Sequence, residues 1–370
     1  MTDPTKRAVR LGVTSATALA LLASACTSSG SSAPSTSAPP PATSSSAAPA
    51  PKPTPTPKPK PKPKPHHQAS VNPLTGLGKR PKGPVIAVKI DDTAPGRPQV
   101  GIDRADVVYI EAVEGGLTRL AAIFGTYKPR AVGYVRSTRP SDPDLLLQYG
   151  KITEAYSGGA HDSLPRVHRS GIRSWSNDAG ARFYSRVPRA ASSYINLVLN
   201  LRKVSNTTRT NRPHSNGWTF SRHVSGKLNP KSGFHVSTEV TGSYTHGTPV
   251  FFRYSKFLHK YVRYINGVKQ RAADGKPITA TNVIVQACRI RAHPRDTDVL
   301  GNPSQFTYTV GSGPVVVFRG GKRIYGAWSR NRLKNGTVLR GAHHMQIPLA
   351  PGNTWVVLIR KGVPVNGKRP

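Results

Sequence analysis

The stretch of sequence that decides the fold is Asp106–Phe124, which reads DVVYIEAVEGGLTRLAAIF. Its first part, Asp106–Val113, alternates in polarity and is rich in Val, Ile and Tyr, which predicts a β-strand. Gly115-Gly116 interrupts the pattern, and Leu117–Phe124 resumes it as a second strand. This stretch therefore predicts two consecutive strands in the first part of the folded chain.

Strands and short helices surround this pair. Val85–Ile90, Ala131–Val135 and Ile152–Tyr156 are further strand candidates. Helices are expected over Asp142–Tyr149, with Ser141 as the N-cap, and around Ala191–Leu201. Strands mixed with helices predict a first domain of the α/β or α+β class with a central sheet.

Strand patterns dominate after a polar connection at 213–232. Gly320-Gly321 is a hairpin signal, and Pro351-Gly352-Asn353 suggests a second hairpin between Met345–Leu349 and Thr354–Ile359. The sequence thus predicts a smaller, mainly antiparallel β domain. The residues expected in its core are Trp328, Trp355 and Cys288.

The N-terminus has the features of an export signal. Lys6, Arg7 and Arg10 precede the short apolar stretch Leu11–Ala25, and small residues lead up to Cys26. This arrangement predicts a lipoprotein signal peptide over 1–26, with acylation at Cys26. The alternatives are an ordinary signal peptide cut nearby and an uncleaved membrane helix, for which the apolar run is short.

Residues 27–70 lack the side chains needed for a core. Ser, Ala, Pro and Thr fill the first half, and alternating Pro and Lys follow at 51–65. Such a segment is predicted to be a disordered spacer with an extended polyproline part. The expected domains are therefore 1–26 signal peptide, 27–70 spacer, 71–212 N-terminal domain, 213–232 connection and 233–366 C-terminal domain.

The net charge of +38 is distributed unevenly. Residues 91–162 carry ten acidic and eight basic residues, whereas residues 163–370 carry 34 basic and only five acidic ones. A strongly basic surface attracts anionic lipid headgroups, phosphate-bearing wall polymers or nucleic acid. Export argues against nucleic acid, so the expected partners are the membrane, through the lipid anchor, and an anionic wall polymer or envelope protein.

Polar residues collect where the predicted strands of the first domain end. In open sheets, ligands bind at the carboxyl ends of strands, and arginines beside a helix N-terminus favour anions. We therefore predict a ligand-binding cleft; the alternative is a set of turn residues and solvated ion pairs. The candidate ligand-binding residues are Arg119, Arg136, Ser137, Arg139, Ser157, Gly158 and Gly159.

Three carboxylates near this cleft, those of Asp91, Glu111 and Glu114, are candidates for acid–base catalysis. Equally, they can be structural carboxylates that balance Arg119 and Arg136. The sequence contains no phosphate-binding loop, dinucleotide fingerprint, nucleophile elbow or zinc motif. No metal and no cofactor are therefore predicted.

Short blocks in a fixed order resemble a known family. They are Asn72-Pro73-Leu74-Thr75-Gly76-Leu77, Arg97-Pro98-Gln99-x-Gly101, Ala105-Asp106-Val107-Val108-Tyr109, Glu114-Gly115-Gly116-x-Thr118-Arg119, Val135-Arg136-Ser137-x-Arg139, Ser157-Gly158-Gly159, Asn282-Val283-Ile284-Val285, Gly326-x-Trp328 and Pro351-Gly352-Asn353-Thr354-Trp355. The ordered set resembles the YerB-like bacterial lipoproteins, a family with domains of unknown function. The resemblance implies an α/β-type first domain, a β-rich second domain and lipid attachment, but no reaction.

Three functional hypotheses follow. The first is a membrane-anchored extracytoplasmic protein that binds an anionic envelope component or a protein partner. The alternative is a cell-envelope hydrolase or transferase that uses the carboxylate and arginine cleft. The third is a structural scaffold without a ligand.

Overall fold

The strand pair predicted at Asp106–Phe124 lies in the middle of a large mixed sheet in the computed structural model of this protein. The structure describes residues 71–363 except 190–191, 210–212, 214, 224–228, 231–232 and 238–248. These described residues belong to one compact unit. The predicted signal peptide, the spacer and Cys26 lie outside them.

The first half of the described chain ends with a helix whose last residue is Thr207. Its strands are β1 (Ile86–Asp91), β2 (Val107–Ala112), β3 (Thr118–Phe124), β4 (Val132–Gly133), β5 (Thr153–Tyr156), β6 (Arg173–Ser176), β7 (Tyr184–Arg186) and β8 (Leu197–Leu199). Its α-helices are short, and they are α1 (Asp142–Leu146), α2 (Ser163–Ser170) and α3 (Leu201–Thr207). Brief 3-10 turns cover Ala94–Gly96, Ile102–Arg104, Glu114–Gly116 and Leu147–Tyr149.

The second half consists of strands and one 3-10 turn, at Ala342–His344. The strands are β9 (Asn229–Pro230), β10 (Gly233–Ser237), β11 (Pro249–Ser255), β12 (Lys260–Ile265), β13 (Val268–Lys269), β14 (Thr279–Ala280), β15 (Asn282–Thr297), β16 (Pro303–Tyr308), β17 (Gly311–Arg319), β18 (Lys322–Arg330), β19 (Val338–Arg340) and β20 (Thr354–Arg360).

Strands from both halves form the main sheet. Within the described residues it has twelve strands, ten of them in the order β19-β18-β17-β15-β20-β2-β3-β1-β5-β6, while β16 pairs with β15 and β9 with β18. A second sheet contains β10 to β14, and a third contains β4, β8 and β7. The central strands β1 and β2 are buried on both faces, as expected of strands covered from two sides.

The last strand corrects the predicted hairpin between Met345–Leu349 and Thr354–Ile359. Strand β20 instead pairs in parallel with both β2 and β15. No named strand covers Met345–Leu349, although Gln346 and Leu349 make isolated bridges. The prediction was wrong because Val356–Ile359 is apolar without interruption, and such a run is buried best in the centre of a sheet.

The helix predicted around Ala191–Leu201 is also wrong. Leu197–Leu199 is strand β8, which pairs with β4 and β7. Helix α3 begins only at Leu201, and the side chain of Asn200 caps it by accepting a hydrogen bond from the Lys203 backbone at 3.0 Å. Buried β-sheet pairing of Leu197–Leu199 therefore outweighs the modest helix propensity of the segment.

The described chain is mainly β, which agrees with the α+β alternative in its broad sense. Because β20 is parallel to both its neighbours, the second half is not purely antiparallel.

The hairpin at Gly320-Gly321 and the burial of Trp328, Trp355 and Cys288 are confirmed. The boundaries 71–212, 213–232 and 233–366 stay a prediction. In the part of the chain that the structure describes, no helix has the length and apolarity to span a membrane.

Candidate functional site

Parallel pairing of β1 with β5 places their carboxyl ends at the same edge of the main sheet. The segment from Val135 to Thr138 runs between these two ends. The Arg136 backbone donates to Lys89 O at 3.0 Å, and Arg136 O accepts from the Ser157 backbone at 3.0 Å. Thr138 N then donates to Gly158 O at 3.1 Å. The predicted site residues on these segments are thus brought together by backbone hydrogen bonds.

Arg136 and Asp91 form an ion pair at this edge. The distance from Arg136 Nε to Asp91 Oδ2 is 3.1 Å. The other oxygen of Asp91 accepts from the Thr93 backbone at 2.7 Å and from the Thr93 hydroxyl at 2.5 Å. Asp91 is buried, whereas the Arg136 side chain keeps 31% of its surface exposed. Arg136 is therefore positioned by a buried carboxylate and still reaches solvent.

Arg139 and Glu114 form a second, more deeply buried pair. Arg139 Nη2 donates to Glu114 Oε2 at 2.6 Å, and Arg139 Nε lies 2.5 Å from Glu114 Oε1. The Ser304 hydroxyl, from β16 in the second half, also donates to Glu114 at 2.5 Å. Burial alone would raise the pKa of Glu114, but the Arg139 guanidinium outweighs it and holds that pKa below its ordinary value.

Arg119 differs from these two arginines. It lies on β3 opposite Asp91 of β1 and Glu111 of β2, and it is partly buried. Its Nη1 donates to Ser137 O over a long 3.4 Å. Among the described residues, no carboxylate oxygen lies within ion-pair distance of it. Burial and the nearby positive charge of Arg139 lower the pKa of Arg119 to about 9.

Ser157, Gly158 and Gly159 form the rim beside the arginines. Gly158 has φ +78, and a Cβ atom there would lie 2.9 Å from Ser137 Oγ, so this close approach needs glycine. A Cβ at Gly159 would meet Leu164 at 2.7 Å. The Ser157 hydroxyl donates to Asp178 at 3.3 Å. A carboxylate therefore borders one side of the rim and limits where an anion could approach.

Glu111 belongs to a separate, fully buried charge cluster. Lys89 Nζ lies 2.6 Å from Asp142 Oδ1 and 3.2 Å from Glu111 Oε2. The Thr138 hydroxyl lies 3.1 Å from Asp142 Oδ2 and 2.7 Å from Glu154 Oε1. Burial and the Asp142 charge raise the pKa of Glu111, and the same two causes raise the pKa of Glu154 to about 8.

The cluster around Lys89 was not predicted from the sequence. The sequence does contain a sign of it, namely a lysine in the middle of the apolar run Val85–Ile90. A lysine buried in such a strand needs carboxylates buried near it, so this pattern indicates a buried charge cluster.

We call the region formed by Arg119, Arg136, Arg139 and the rim at Ser157–Gly159 the arginine edge. Asp142 connects Lys89 to this edge, because Asp142 Oδ2 accepts from the Arg139 backbone at 2.7 Å. The three catalytic candidates therefore belong to two neighbouring networks. Asp91 and Glu114 form ion pairs with Arg136 and Arg139, whereas Glu111 belongs to the buried cluster around Lys89.

A buried link between the two halves was also missed. Arg263, on β12, donates to Asp92 Oδ2 at 2.6 Å, and both side chains are fully buried. Asp92 also accepts from the Thr118 hydroxyl at 2.8 Å. The Arg263 guanidinium lies 5.0 Å from the centre of the Trp355 ring. In the described part of the chain, no group of three His, Cys, Asp or Glu residues is arranged to hold a metal ion.

Two family models cover both halves of the chain. Residues 74–214 match the N-terminal domain of the protein of unknown function DUF3048, and residues 240–356 match the C-terminal domain of the same family. The chain belongs to the DUF3048 family. The arginine edge lies within the N-terminal match, and Ser304 and Arg263 lie within the C-terminal one.

Two comparisons with relatives agree with this assignment. The chain is 24% identical over 301 residues to the protein named "Putative lipoprotein YerB" of Bacillus subtilis, which covers 78% of this chain and 85% of that protein. The crystal structure of the Bacillus subtilis YerB protein matches with a TM-score of 0.65 at 21% identity, covering 78% of this chain and 96% of that one. The structural match shows that this chain shares its fold with the Bacillus subtilis YerB protein.

Proposed function

We propose that this DUF3048 protein is a membrane-anchored, extracytoplasmic binding protein. Its ligand would be a carboxylate or phosphate group, carried by an anionic envelope component or by a protein partner. The lipoprotein name of the Bacillus subtilis relative and the lipobox-like residues before Cys26 support the anchor. The predicted ligand-binding residues at the arginine edge support the recognition of an anion.

One observation carries the binding proposal, namely the environment of Arg119. Arg119 is a partly buried guanidinium whose hydrogen bond, among the described residues, goes to a backbone carbonyl, while Glu114 and Asp91 attract it only from beyond ion-pair distance. Arg136 and Arg139 add positive charge nearby, which lowers the pKa of Arg119 further. An anion bound there would restore the lost solvation, and arginine can hold a carboxylate or phosphate through two parallel hydrogen bonds.

The neighbouring residues would then have distinct roles. Asp91 and Glu114 hold Arg136 and Arg139 in place and are themselves engaged by Thr93 and Ser304. The absence of a side chain at Gly158 lets Ser137 pack against the rim, and this contact fixes the rim beside the arginines. The rival hydrolase or transferase hypothesis has no comparable support, because each carboxylate candidate is already hydrogen-bonded or ion-paired inside the fold.

The test is thermal unfolding with inorganic phosphate, and separately with acetate, as probes. Saturating phosphate should raise the melting temperature of the parent protein by about 5 °C. Arg119→Gln should abolish this shift while leaving the melting temperature without ligand unchanged or higher, because the repulsion from Arg139 and Arg136 is removed. Arg136→Ala is a less clean variant, since it also leaves the buried Asp91 without its cation.

Arg104→Gln is the matched control. Arg104 pairs with Asp103 at 3.0 Å and contacts Tyr127, which follows β3 at the opposite edge of the sheet. This variant should keep the full phosphate-dependent shift. The proposal is contradicted if Arg119→Gln also keeps it, or if neither anion shifts the parent protein.

A further inference from the structure

The turn between β11 and β12 exposes two apolar side chains among positive ones. Ser255 pairs with Lys260 across the hairpin, and residues 256–259 form the loop between them. Phe257 is 91% exposed and Leu258 beside it is exposed as well. Lys256, His259 and Lys260 are also exposed. The Ser255 hydroxyl accepts from the Leu258 backbone at 3.2 Å and holds the loop in this form.

The sequence on both sides of this tip is poor in acidic residues. Between Asp178 and Asp274 the chain contains a single acidic residue, Glu239. A second hairpin tip provides a contrast: Val299 and Leu300, between β15 and β16, are at least as exposed as the first pair. There, however, the loop contains the carboxylate of Asp298, which accepts hydrogen bonds from Leu300 and Asn302. The two apolar tips thus differ in charge.

Direct contacts connect the basic tip to a second basic turn. The Tyr261 hydroxyl, next to Lys260, donates to Lys322 O at 3.2 Å. Gly321 lies against the Tyr254 ring, where an added Cβ would be 2.8 Å from the ring. Lys322, in the turn between β17 and β18, is exposed. The backbone of a third exposed lysine therefore contacts Tyr261, the residue that follows the tip formed by residues 256–260.

Buried contacts connect this second turn to the start of the folded chain. Arg319, which precedes the Gly320-Gly321 turn, is buried and donates to Ser221 O at 2.7 Å. Ser221, the exposed Arg222 and Val71 line one cavity of about 450 Å³. Val71 is the first described residue, where the predicted spacer joins the folded part.

We propose that the hairpin tip of residues 256–260 docks the folded part onto an anionic lipid bilayer. Phe257 and Leu258 enter the boundary between headgroups and acyl chains, while Lys256, Lys260 and Lys322 contact anionic headgroups. A spacer as long as the predicted one, residues 27–70, allows the lipid anchor and the tip to engage one membrane together. This step rests on the membrane anchor of the proposed function, whereas neither the arginine edge nor its ligand enters this inference.

The first test measures insertion of the tip directly. A mature chain from residue 26, with Cys26→Ser to prevent acylation, carries an environment-sensitive fluorophore at Phe257→Cys. Cys288 is fully buried, so it stays unlabelled in the native protein. On vesicles of phosphatidylglycerol and phosphatidylcholine, the fluorescence should rise severalfold and shift to the blue. The same label at Val299→Cys is the matched control and should keep its aqueous spectrum.

The second test measures vesicle partitioning by sedimentation, in chains that share the same lysine-rich spacer. Phe257→Ser with Leu258→Ser should weaken partitioning by about tenfold or more, since burial of one large apolar side chain corresponds to at least that factor. Val299→Ser with Leu300→Ser should leave it unchanged. The proposal is overturned if the label at 257 stays in water on vesicles that bind the protein, or if the serine pair at 257–258 binds as tightly as the parent.

Discussion

The buried pair of Arg263 and Asp92 allows a quantitative prediction. The change is Arg263→Met, which keeps most of the aliphatic stem but removes the charge. In the native protein Arg263 Nη2 lies 2.6 Å from Asp92 Oδ2, and neither side chain reaches solvent. The Thr118 hydroxyl and the Gln99 amide also donate to Asp92, at 2.8 Å and 3.2 Å, and both stay after the change.

The expected loss in the free energy of unfolding is about 4 kcal/mol. Leaving one member of a buried ion pair without its partner typically costs about 3–5 kcal/mol, because a charge is left in a medium that solvates it poorly. The contact of the Arg263 guanidinium with the Trp355 ring, at 5.0 Å, is lost too and adds about 0.5–2 kcal/mol. The two neutral donors to Asp92 offset part of this cost.

Urea unfolding of a double-mutant cycle would measure the coupling. Asp92→Asn should also destabilise the protein, but the combined variant should lose about 2–3 kcal/mol less than the sum of the two single changes. Lys276→Met is the matched control, because Lys276 and Asp274 form a solvent-exposed pair at 2.6 Å, and removing its charge should barely change the urea midpoint. A coupling near zero between Arg263 and Asp92 would refute the reasoning.

Three further predictions concern other parts of the chain. Cys26→Ala should move the protein from the membrane fraction to the soluble fraction, as seen by fractionation of cells; unchanged membrane binding would contradict lipidation. Limited proteolysis should remove the spacer and leave a resistant core that starts near residue 70, and a protected fragment that starts well before residue 60 would argue against this. Burial raises the pKa of Glu154 from 4.5 to about 8, so the stability that this residue contributes is complete below about pH 4.5 and is lost as the pH rises through about 8. Glu154→Gln should therefore flatten the pH dependence of the urea midpoint between about pH 5 and pH 8, and a profile identical to the parent's would speak against a protonated Glu154.

The sequence pattern was sufficient to predict the strands and turns that pair with segments adjacent to them in the sequence. Asp106–Phe124 contains β2 and β3, and Gly320-Gly321 does connect β17 with β18. Alternating polarity indicates the strands, and a glycine pair between them indicates the turn, so two strands that follow each other can be predicted from the local sequence. The position of β20 could not be read in this way, because its partners β2 and β15 are distant in sequence and a wholly apolar run does not specify its neighbours.

The candidate site, like the fold, could be predicted from the sequence only in part. The sequence marked the polar residues that follow the strands at Asp91 and Tyr156, but only the parallel pairing of β1 with β5 in the structure places these strand ends side by side. The partners of Glu114 and Asp92 in the second half could not be predicted, because Ser304 and Arg263 are 190 and 171 residues away and nothing local marks them. A carboxylate buried in a mostly basic chain indicates that a cation is near it, but not which one.

The position of β20 has a consequence for how this protein is made. A chain that is synthesised from its N-terminus presents β1, β2 and β3 first, and β2 then has one open edge. The strand that closes this edge, β20, lies at residues 354–360, after every other strand of the main sheet in the described part of the chain. An unpaired central edge is a template for pairing with a foreign chain, so the new polypeptide is vulnerable until residues 354–360 have been made. A chain that stops before residue 354 would accordingly leave β2, in the first half, and β15, in the second half, each with an unpaired edge inside the main sheet. A chaperone that binds the growing chain would have its greatest effect during this interval.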